Sequence, residues 1–387
     1  MFIVVRGGEI YNPQRIGRSD LLIAADKIVR IGDVDLRPLE QSGLGVEIIE
    51  AENCLVVPGF IDPHEHLLGG SGEKGWASQT PEIALSEIVA GGLTTVVGCL
   101  GTDTTTKTMP GLLAKAKAFN DEGLTAYIYS GGYNVPPVTL TGSVRKDMLF
   151  VPEVIGAGEI AISDARSTEP SDAELARLVR DTYVGGLLAA KSGITHFHVG
   201  SGKKRLRPLR TLLDEYEIEP RSLYPTHMDR SEELMVEAIE LSHRGVTVDL
   251  DTVDGELPRS MSFYLERGGD PTLVTVSSDA AINSPRAVWD QIRTCVLQHG
   301  MSLETLLPTV TSNTASVLKL PSKGHLREGA SADVVVLRKE SLELLDVIAR
   351  GRRFVRSGQL AFRESFLQES KREIRLHGER AQTPGTN

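Results

Sequence analysis

The sequence predicts an α/β fold, a (β/α)8 barrel of the TIM type joined to a small β-sandwich domain that is built from both termini. Three observations predict it. Short apolar runs alternate with longer amphipathic stretches through the middle of the chain, eight such runs lie between residues 55 and 279, and both ends carry short strands separated by turns. A chain of 387 residues is long enough for one large barrel and a compact accessory domain.

The predicted β-sandwich domain has two parts, residues 1–57 and residues 319–363. The first contains the runs FIVVRGGEIYN, DLLIAADKIVRIG and VEIIEAENCLVV, and the second contains ADVVVLRKE, LLDVIARGRRFVRSG and GQLAFRE. Gly and Asp turns separate these runs, and none has a good helical period. We therefore expect both parts to form one β domain, with the barrel inserted between them and residues 364–387 following as a charged tail, a helix that frays into disorder.

The barrel is predicted over residues 58–318. Its strand candidates, the first of which begins just before that boundary, are LVVPGFID, TTVVGCL, LTAYIYSGG, EIAIS, ITHFHVG, SLYPTH, VTVDLD and LVTVSSD. The main helix candidates between them, several of which begin at Ser or Pro and end at Gly, are PEIALSEIVAGG, MPGLLAKAKAFNDEG, SDAELARLVRDTYVGGLLAAKSG, SEELMVEAIELSHRG and SPRAVWDQIRTCVLQHG. Barrel enzymes place their catalytic groups at the carboxyl ends of the strands.

Five side chains of the kind that bind metals lie at those strand ends. His64 and His66 lie two residues apart at the end of strand one, so alternation directs both rings to the same side. Strands five, six and eight end with His198, His227 and Asp279. Any one of them could be a structural histidine or a capping aspartate. Five on one rim favour a metal centre.

Composition disfavours several other classes of protein. The net charge of −10 and the single short basic run KKRLRPLR argue against a nucleic-acid partner. No stretch approaches the roughly 18 apolar residues of a membrane helix, and the N-terminal segment does not read as a signal peptide, so we expect a cytoplasmic protein with no membrane partner. Cys54, Cys99 and Cys295 are isolated and odd in number, which argues against disulfides and against a cysteine-based zinc site. We expect all three to be buried structural residues.

The segment PGFIDPHEH, followed by His, His and Asp on strands five, six and eight, resembles the amidohydrolase superfamily and, within it, the isoaspartyl dipeptidases. The resemblance extends over nearly the whole chain and includes DLLIAADKIVRIG and GHLREGASADVVVL. It implies a metal-dependent hydrolase that cleaves the isopeptide bond of isoaspartyl dipeptides. His64, His66 and Asp279 would hold a more buried metal, and His198 and His227 a more exposed one.

The bridge between two such metals departs from the family pattern. The typical isoaspartyl dipeptidase has a carboxylated lysine on strand four, whereas this chain has Glu159 there and no lysine between Lys146 and Lys191. We therefore expect two Zn²⁺ ions bridged by Glu159, with a single metal, or an ion pair of Glu159 with an arginine, as the alternatives. Because glutamate is shorter, it must approach through a backbone shift or hold a displaced metal pair. Asp279 would act as general base and then as general acid toward the leaving nitrogen.

Three further segments resemble segments of the isoaspartyl dipeptidases. Two of them would contact the aspartyl end of the substrate, and the third would contact the scissile bond. Glu73 in GGSGEKG would hold the free ammonium group. Thr102 in LGTD, with backbone amides at Ser71, would bind the free α-carboxylate. Tyr133 in SGGYNVP would donate a hydrogen bond to the developing oxyanion. Each could instead be an ordinary loop residue.

The leaving amino acid would be held by arginines. Arg166 in SDARS and Arg230 in THMDR are expected to clamp its carboxylate by charge-assisted hydrogen bonds, or else to form surface ion pairs. After SSDAAINSP the loop is shorter than is usual in the family, and Asn283 or Ser284 takes the position of a serine that helps the arginines. This departure bears on the preference for the second residue of the dipeptide.

Other functions stay open at this point because fold and metal ligands do not fix a substrate. The nearest alternatives are a cyclic-amide hydrolase and an N-acyl-amino-acid deacylase, and a more distant one is a non-catalytic scaffold. A ring substrate would have no use for Glu73, and scaffold proteins of this type typically lose metal ligands, which this chain keeps. Barrels of this type commonly assemble, so we expect a homo-oligomer.

Overall fold

The computed structural model describes residues 2–41, 43–70 and 72–370. The strands β1 to β17 are Phe2–Tyr11, Arg15–Ala24, Lys27–Ile31, Val46–Glu50, Cys54–Pro58, Phe60–Glu65, Leu93–Gly98, Thr125–Ser130, Val154–Ile162, Ile194–Val199, Leu223–Thr226, Val248–Asp251, Val274–Ser277, Val334–Arg338, Leu344–Ala349, Arg352–Arg356 and Gln359–Leu360. The helices α1 to α12 are Arg37–Gln41, Leu85–Ala90, Met109–Glu122, Val144–Phe150, Asp172–Ala189, Arg207–Glu215, Glu232–His243, Leu257–Glu266, Ala287–Leu297, Leu303–Leu306, Ser312–Val317 and Phe366–Glu369. Short 3-10 helices cover Trp76–Ser78, Pro220–Ser222, Met228–Arg230 and Leu307–Val310.

Strands from both ends of the chain share one sheet of nine strands. Its order is β17-β16-β15-β14-β5-β1-β2-β3, and β4 pairs with β1. The two ends meet where β5 runs antiparallel to β14, with Cys54 to Pro58 opposite Val334 to Arg338. Apolar side chains such as Ile3, Val56 and Val334 form a core of their own against this sheet. The separate sheet domain was predicted; its two-layer sandwich arrangement and the domain boundaries stay predictions.

The middle of the chain forms a curled parallel sheet. Strands β6 to β11 pair in chain order, β12 pairs with β13, and an isolated parallel bridge from Glu65 to Ala280 links the end of β13 to β6. These eight strands correspond to the eight predicted apolar runs. Every residue in β6, β7 and β9 to β13 is buried, as expected for parallel strands covered on both faces. Closure into an eight-stranded barrel stays a prediction.

The run LVVPGFID is two strands rather than the single one predicted. Its first half lies in β5 of the nine-stranded sheet, and its second half begins β6 of the parallel sheet. Gly59 separates them, and its N–H donates to the carbonyl of Asp333 at 2.9 Å. A Cβ at Gly59 would lie 2.3 Å from Oγ1 of Thr94, so this junction has no room for a side chain.

The five predicted helices are present, and two of them begin at the expected serine caps. Ser171 caps α5 in a capping box with Glu174, and Ser231 caps α7. Only Leu85–Ala90 of PEIALSEIVAGG is helical, because Ile83 is tied by its N–H to the carbonyl of Leu67 in the loop after β6. None of the helices in the described ranges is both long and apolar enough to cross a membrane. The charged tail was predicted over residues 364–387; Phe366–Glu369 of it are helical, and residues 371–387 lie outside the described residues.

Candidate metal centre and active site

The six predicted metal-binding side chains come together toward the carboxyl ends of the parallel strands. They lie in or directly after β6, β9, β10, β11 and β13 and are His64, His66, Glu159, His198, His227 and Asp279. Both His227 and Asp279 take a left-handed backbone conformation, with φ of 67° and 48°, as the chain leaves the strand. Non-glycine residues in this conformation are uncommon and concentrate at functional sites.

Glu159 lies between two pairs of histidines. Its Oε1 is 2.7 Å from Nδ1 of His198 and 3.2 Å from Nε2 of His227. Its Oε2 is 3.4 Å from Nε2 of His64 and 3.8 Å from Nε2 of His66. One oxygen therefore faces each pair, which is the arrangement that a bridging carboxylate needs.

A β-bulge in β9 carries Glu159 into this position. Ala157 pairs with Thr195 and Ile160 pairs with Phe197, so Gly158 and Glu159 together face the single residue His196. A Cβ at Gly158 would come within 2.8 Å of both Cβ and the carbonyl oxygen of His196, so only glycine fits beside the bulge. Bulges re-aim side chains next to active sites. The local register shift is the kind of backbone change that the shorter glutamate was expected to require.

Buried polar atoms without hydrogen-bond partners indicate which kind of group the site would fit. Neither ring nitrogen of His64 makes a hydrogen bond, and neither does Oε2 of Glu159, although both side chains are fully buried. Such groups are costly to bury without a partner. Imidazole nitrogens and a carboxylate oxygen are also the ligands that zinc and related metals accept, so the residues fit a metal centre.

The electrostatics of the cluster agree with a cation site. Burial raises the pKa of Glu159, but the charges of His64 and His198 and hydrogen bonds from the histidines outweigh it and hold the pKa well below its usual range. The pKa of Asp279 is likewise lowered, because His64 and His66 overcome the effect of burial. Burial lowers the pKa of His227, yet hydrogen bonds to Asp251 and Glu159 raise it to about 9. Ionised carboxylates and proton-attracting imidazoles together favour a bound cation.

Two carboxylates that the sequence analysis missed contact the outer nitrogens of the histidines. Oδ2 of Asp251, at the end of β12, is 2.6 Å from Nδ1 of His227. Oδ2 of Asp164 is 3.1 Å from Nε2 of His198. Such partners fix the orientation of a metal-binding histidine. Asp251 is the last residue of β12, the seventh of the parallel strands, and lies at the same rim as the predicted ligands. Its place at a strand end could therefore have identified it from the sequence.

Replacing Asp251 by asparagine is expected to weaken zinc binding about 10- to 100-fold, because the outer partner of His227 loses its charge. Competition with a chromophoric chelator measures this affinity. Asp254→Asn, in the exposed turn after β12, is the matched control and should leave it unchanged. Equal affinities in Asp251→Asn and the unchanged protein would contradict the role given to Asp251.

The three cysteines do not share one environment. Cys295 is buried as predicted, whereas Cys54 is only half-buried. Cys99 is buried, but its Sγ lies 3.6 Å from Nδ1 of His66 and belongs to a compact group with His64, His66 and Glu159. Burial raises the pKa of the Cys99 thiol, but His66 and His64 outweigh it and lower the pKa. Cys99 is therefore buried as predicted, but it contacts the predicted metal-binding histidines, which the sequence analysis did not foresee.

A cavity of about 470 Å³ opens above the metal-type residues. The predicted site residues that line it are His66, Glu73, Thr102, Tyr133, Arg166, His198, Arg230, Asp279 and Asn283. His64, Glu159 and His227 lie beneath it, buried in the sheet. The cavity therefore joins the candidate metal centre to most of the candidate substrate-binding groups.

The two predicted arginines are held beside His198. Arg166 donates through Nε and Nη2 to the two carboxylate oxygens of Asp164, each at 2.8 Å, and through Nη1 to Oε1 of Glu73 at 2.6 Å. Its Nη2 is 3.0 Å from Nε2 of His198. Arg230 donates to the carbonyl of Val199 at 2.7 Å, and its Nη1 is 3.2 Å from the same histidine nitrogen. These contacts place both guanidinium groups against the centre.

The other residues that were predicted to bind substrate do not all lie beside the metal-type residues. The hydroxyl of Tyr133 is 2.8 Å from Nδ1 of His198, and Thr102 donates to Oε1 of Glu73 at 3.3 Å. The amide of Asn283 donates to the carbonyl of Thr252 at 3.1 Å, which ties it to its own loop. Ser284 accepts a local hydrogen bond from the Arg286 N–H and is not among the described residues that line the cavity. Ser71 lies outside the described residues.

Comparison with known proteins agrees with this architecture. Residues 55–354 match the amidohydrolase family. The crystal structure of a beta-aspartyl dipeptidase from Fervidobacterium islandicum AW-1 is 38% identical, with a TM-score of 0.89 over 94% of this chain and 100% of that chain. A second structure of that enzyme, in complex with a beta-Asp-Leu dipeptide, is 37% identical with a TM-score of 0.88 over the same shares of the two chains.

A more distant relative is a dihydroorotase from Clostridium acetobutylicum. It is 33% identical over 99 residues, which are 24% of this chain and 21% of the dihydroorotase. The family match, by contrast, spans most of this chain, and the likeness to the Fervidobacterium structures spans nearly all of it. This chain is therefore an enzyme of the amidohydrolase family.

Proposed function

We propose that this enzyme hydrolyses the isopeptide (β-aspartyl) bond of isoaspartyl dipeptides. The observation that carries the proposal is the combination, around one cavity, of a carboxylate placed between two histidine pairs with Glu73, Arg166 and Arg230. A zwitterionic dipeptide presents one ammonium and two carboxylate groups, so it needs both signs of charge in its binding site. The full-length likeness to a beta-aspartyl dipeptidase supports the same substrate class.

The cofactor we propose is a pair of Zn²⁺ ions. His64, His66 and Asp279 would hold the more buried ion, and His198 and His227 the more exposed one, with Glu159 shared between them. When bound, divalent metals supply Lewis acidity that activates a water molecule at neutral pH and polarises the scissile carbonyl.

Two side chains of the protein would act on the reacting atoms. Asp279 lines the cavity and is ionised, so it can accept the proton of the attacking water and return it to the leaving nitrogen. An amide requires this second step because an amine anion is a poor leaving group. Tyr133 carries its proton, since burial raises the pKa of its hydroxyl well above the usual range, and it can donate to the developing oxyanion.

The ends of the dipeptide would be held by the surrounding loops. Glu73 would accept the ammonium group, and Thr102 with the backbone at Ser71 would bind the α-carboxylate of the aspartyl residue. Arg166 is fixed by Asp164, and Arg230 by the carbonyl of Val199, so both are oriented before substrate arrives. Preorganised charges of this kind bind a carboxylate at a lower entropic cost. We propose that they clamp the carboxylate of the leaving amino acid.

An assay of the zinc-loaded enzyme against matched β-aspartyl and α-aspartyl dipeptides tests the proposal. We expect release of aspartate from the β-linked series only, and metal removal by a chelator should abolish it. Cleavage of neither series would refute the proposed substrate.

The similarity to a dihydroorotase makes cyclic-amide hydrolysis the second candidate function. Replacing Glu73 by glutamine separates the two, because a cyclic amide carries no free ammonium for Glu73 to bind. We expect kcat/KM for a β-aspartyl dipeptide to fall at least about 30-fold, since the bound substrate would shield the pair of Glu73 with its ammonium from water, and losing one member of such a pair costs roughly 2 kcal/mol or more. Turnover of the N-acetylated dipeptide should change little.

The control for this variant is Glu82→Gln, which alters an exposed carboxylate paired with Lys115 outside the cavity. It should leave both substrates unaffected. A loss in Glu73→Gln that is equal for the free and the acetylated dipeptide would contradict the placement of the ammonium group beside Glu73.

The proposed domain organisation and assembly extend over the whole chain. We propose that the eight parallel strands close into a barrel over residues 58–318, that residues 1–57 and 319–363 form the β-sandwich domain, and that residues 364–387 form the tail. We also propose a cytoplasmic homo-oligomer. Size measurement in solution tests the assembly.

A further inference from the structure

Cys99 is held at the floor of the cavity by the backbone of the first parallel strand. It follows β7 directly, and its N–H donates at 2.9 Å to the carbonyl of Glu65, the residue between His64 and His66. Its side chain is buried among the metal-type residues, yet Cys99 is also one of the residues that line the cavity. Sγ also lies 3.6 Å from the carbonyl oxygen of Glu65, to which the thiol can donate.

The distances around Cys99 are those of a set of metal ligands. Ligand atoms of His64, His66, Cys99 and Glu159 all lie within 4.8 Å of one another. Sγ is 4.0 Å from Nε2 of His66, the nitrogen that also faces Glu159 and Asp279. Two ligands of one tetrahedral zinc, a sulfur at about 2.3 Å and a nitrogen at about 2.0 Å, are separated by roughly 3.5 Å. The unpartnered nitrogens of His64 and Oε2 of Glu159, both fully buried, belong to the same group.

We propose that Cys99 binds the more buried metal through its thiolate, together with His64, His66 and Glu159. This inference rests on the metal centre of the proposed function. Binding releases the thiol proton to solvent, since only the thiolate is a metal ligand. The resulting N₂SO ligand set favours zinc over the harder cations manganese and magnesium.

A thiolate ligand from Cys99 would also change what the metal requires of Asp279. Oδ1 of Asp279 is 3.1 Å from Nε2 of His66 and 3.4 Å from Nε2 of His64, close enough to complete the same coordination shell. With Cys99 as the fourth ligand, Asp279 is not required to complete a tetrahedral site. Its carboxylate then stays available to the proton of the attacking water.

Cobalt substitution tests the proposal without reference to activity. In the double variant Cys54→Ala, Cys295→Ala, Cys99 is the sole remaining thiol, and we expect the Co²⁺-loaded protein to keep a near-ultraviolet thiolate-to-cobalt charge-transfer band. Cys99→Ser should lose the band. Its zinc affinity should fall more than about 100-fold, because loss of even an outer partner costs about 10- to 100-fold.

Absence of the band in the cobalt-loaded double variant would overturn the proposal, and so would unchanged zinc affinity in Cys99→Ser. If Cys99→Ser does not fold, the band of the double variant still decides. The spectrum is independent of the substrate: a band without dipeptide hydrolysis refutes the proposed substrate alone, and hydrolysis without a band refutes the role of Cys99 alone.

Discussion

Replacement of Glu159 by glutamine is expected to lower hydrolysis by more than about 10³-fold and to reduce the bound zinc from two ions to one or fewer per chain. The carboxylate presents one oxygen to His198 and His227 and the other to His64 and His66. Glutamine removes the charge and turns an N–H donor toward one of these pairs. Lewis-acid activation is worth several kcal/mol, and each 1.36 kcal/mol corresponds to a tenfold change in rate.

Metal analysis and initial rates on β-aspartyl dipeptides measure the two effects together. Glu153→Gln, just before the opposite end of β9, alters a carboxylate that pairs with Lys117 and should change neither. Glu159→Asp keeps the charge but shortens the side chain, so it should retain one zinc more firmly than glutamine does. Two zinc ions and full activity in Glu159→Gln would show that Glu159 does not bridge the metals.

The parallel strands could be predicted from the sequence because strands buried on both faces appear as short, largely apolar runs between turn residues. Strands such as β10, ITHFHV, and β12, VDLD, are short runs bounded by turn residues, and all their residues are buried. Hydropathy does not reveal which sheet a run joins. The division of LVVPGFID at Gly59 depends on the packing of Thr94 against the backbone, and that contact is distant in sequence.

The metal ligands were predictable because parallel strands end at one rim. His198, His227 and Asp279 were identified by strand ends, and Glu159 by resemblance to a family whose lysine it replaces. Cys99 was set aside because spacing rules detect only ligands that lie close together in the chain. It reaches His66 through the pairing of β6 with β7, which sequence spacing does not encode.

The loops were the least predictable part of the site. Arg166 was predicted as a carboxylate clamp, but its side chain also pairs with Asp164 and Glu73, and only the first of these partners is near in sequence. Asn283 is tied to the carbonyl of Thr252, and Ser284 is not among the described residues that line the cavity. Loop conformation depends on such contacts, since loops lack the periodicity that identifies strands and helices.

Replacement of Asp279 by asparagine is expected to lower kcat about 10²- to 10⁴-fold with little change in KM, because general acid–base catalysis contributes about that factor. Asparagine tolerates the left-handed backbone found at this position, with φ of 48°, so the turn after β13 should keep its shape. It cannot accept a proton from water, and it cannot deliver one to the leaving nitrogen.

The matched control is Asp290→Asn, an exposed carboxylate on α9 that does not line the cavity and should leave kcat unchanged. The zinc content of Asp279→Asn distinguishes a role of Asp279 as metal ligand from a role as proton carrier. If Cys99 completes the coordination of the buried metal, Asp279→Asn should keep both zinc ions while losing turnover. Parallel loss of zinc and of activity would instead make Asp279 an essential ligand, and unchanged kcat would exclude it as the proton carrier.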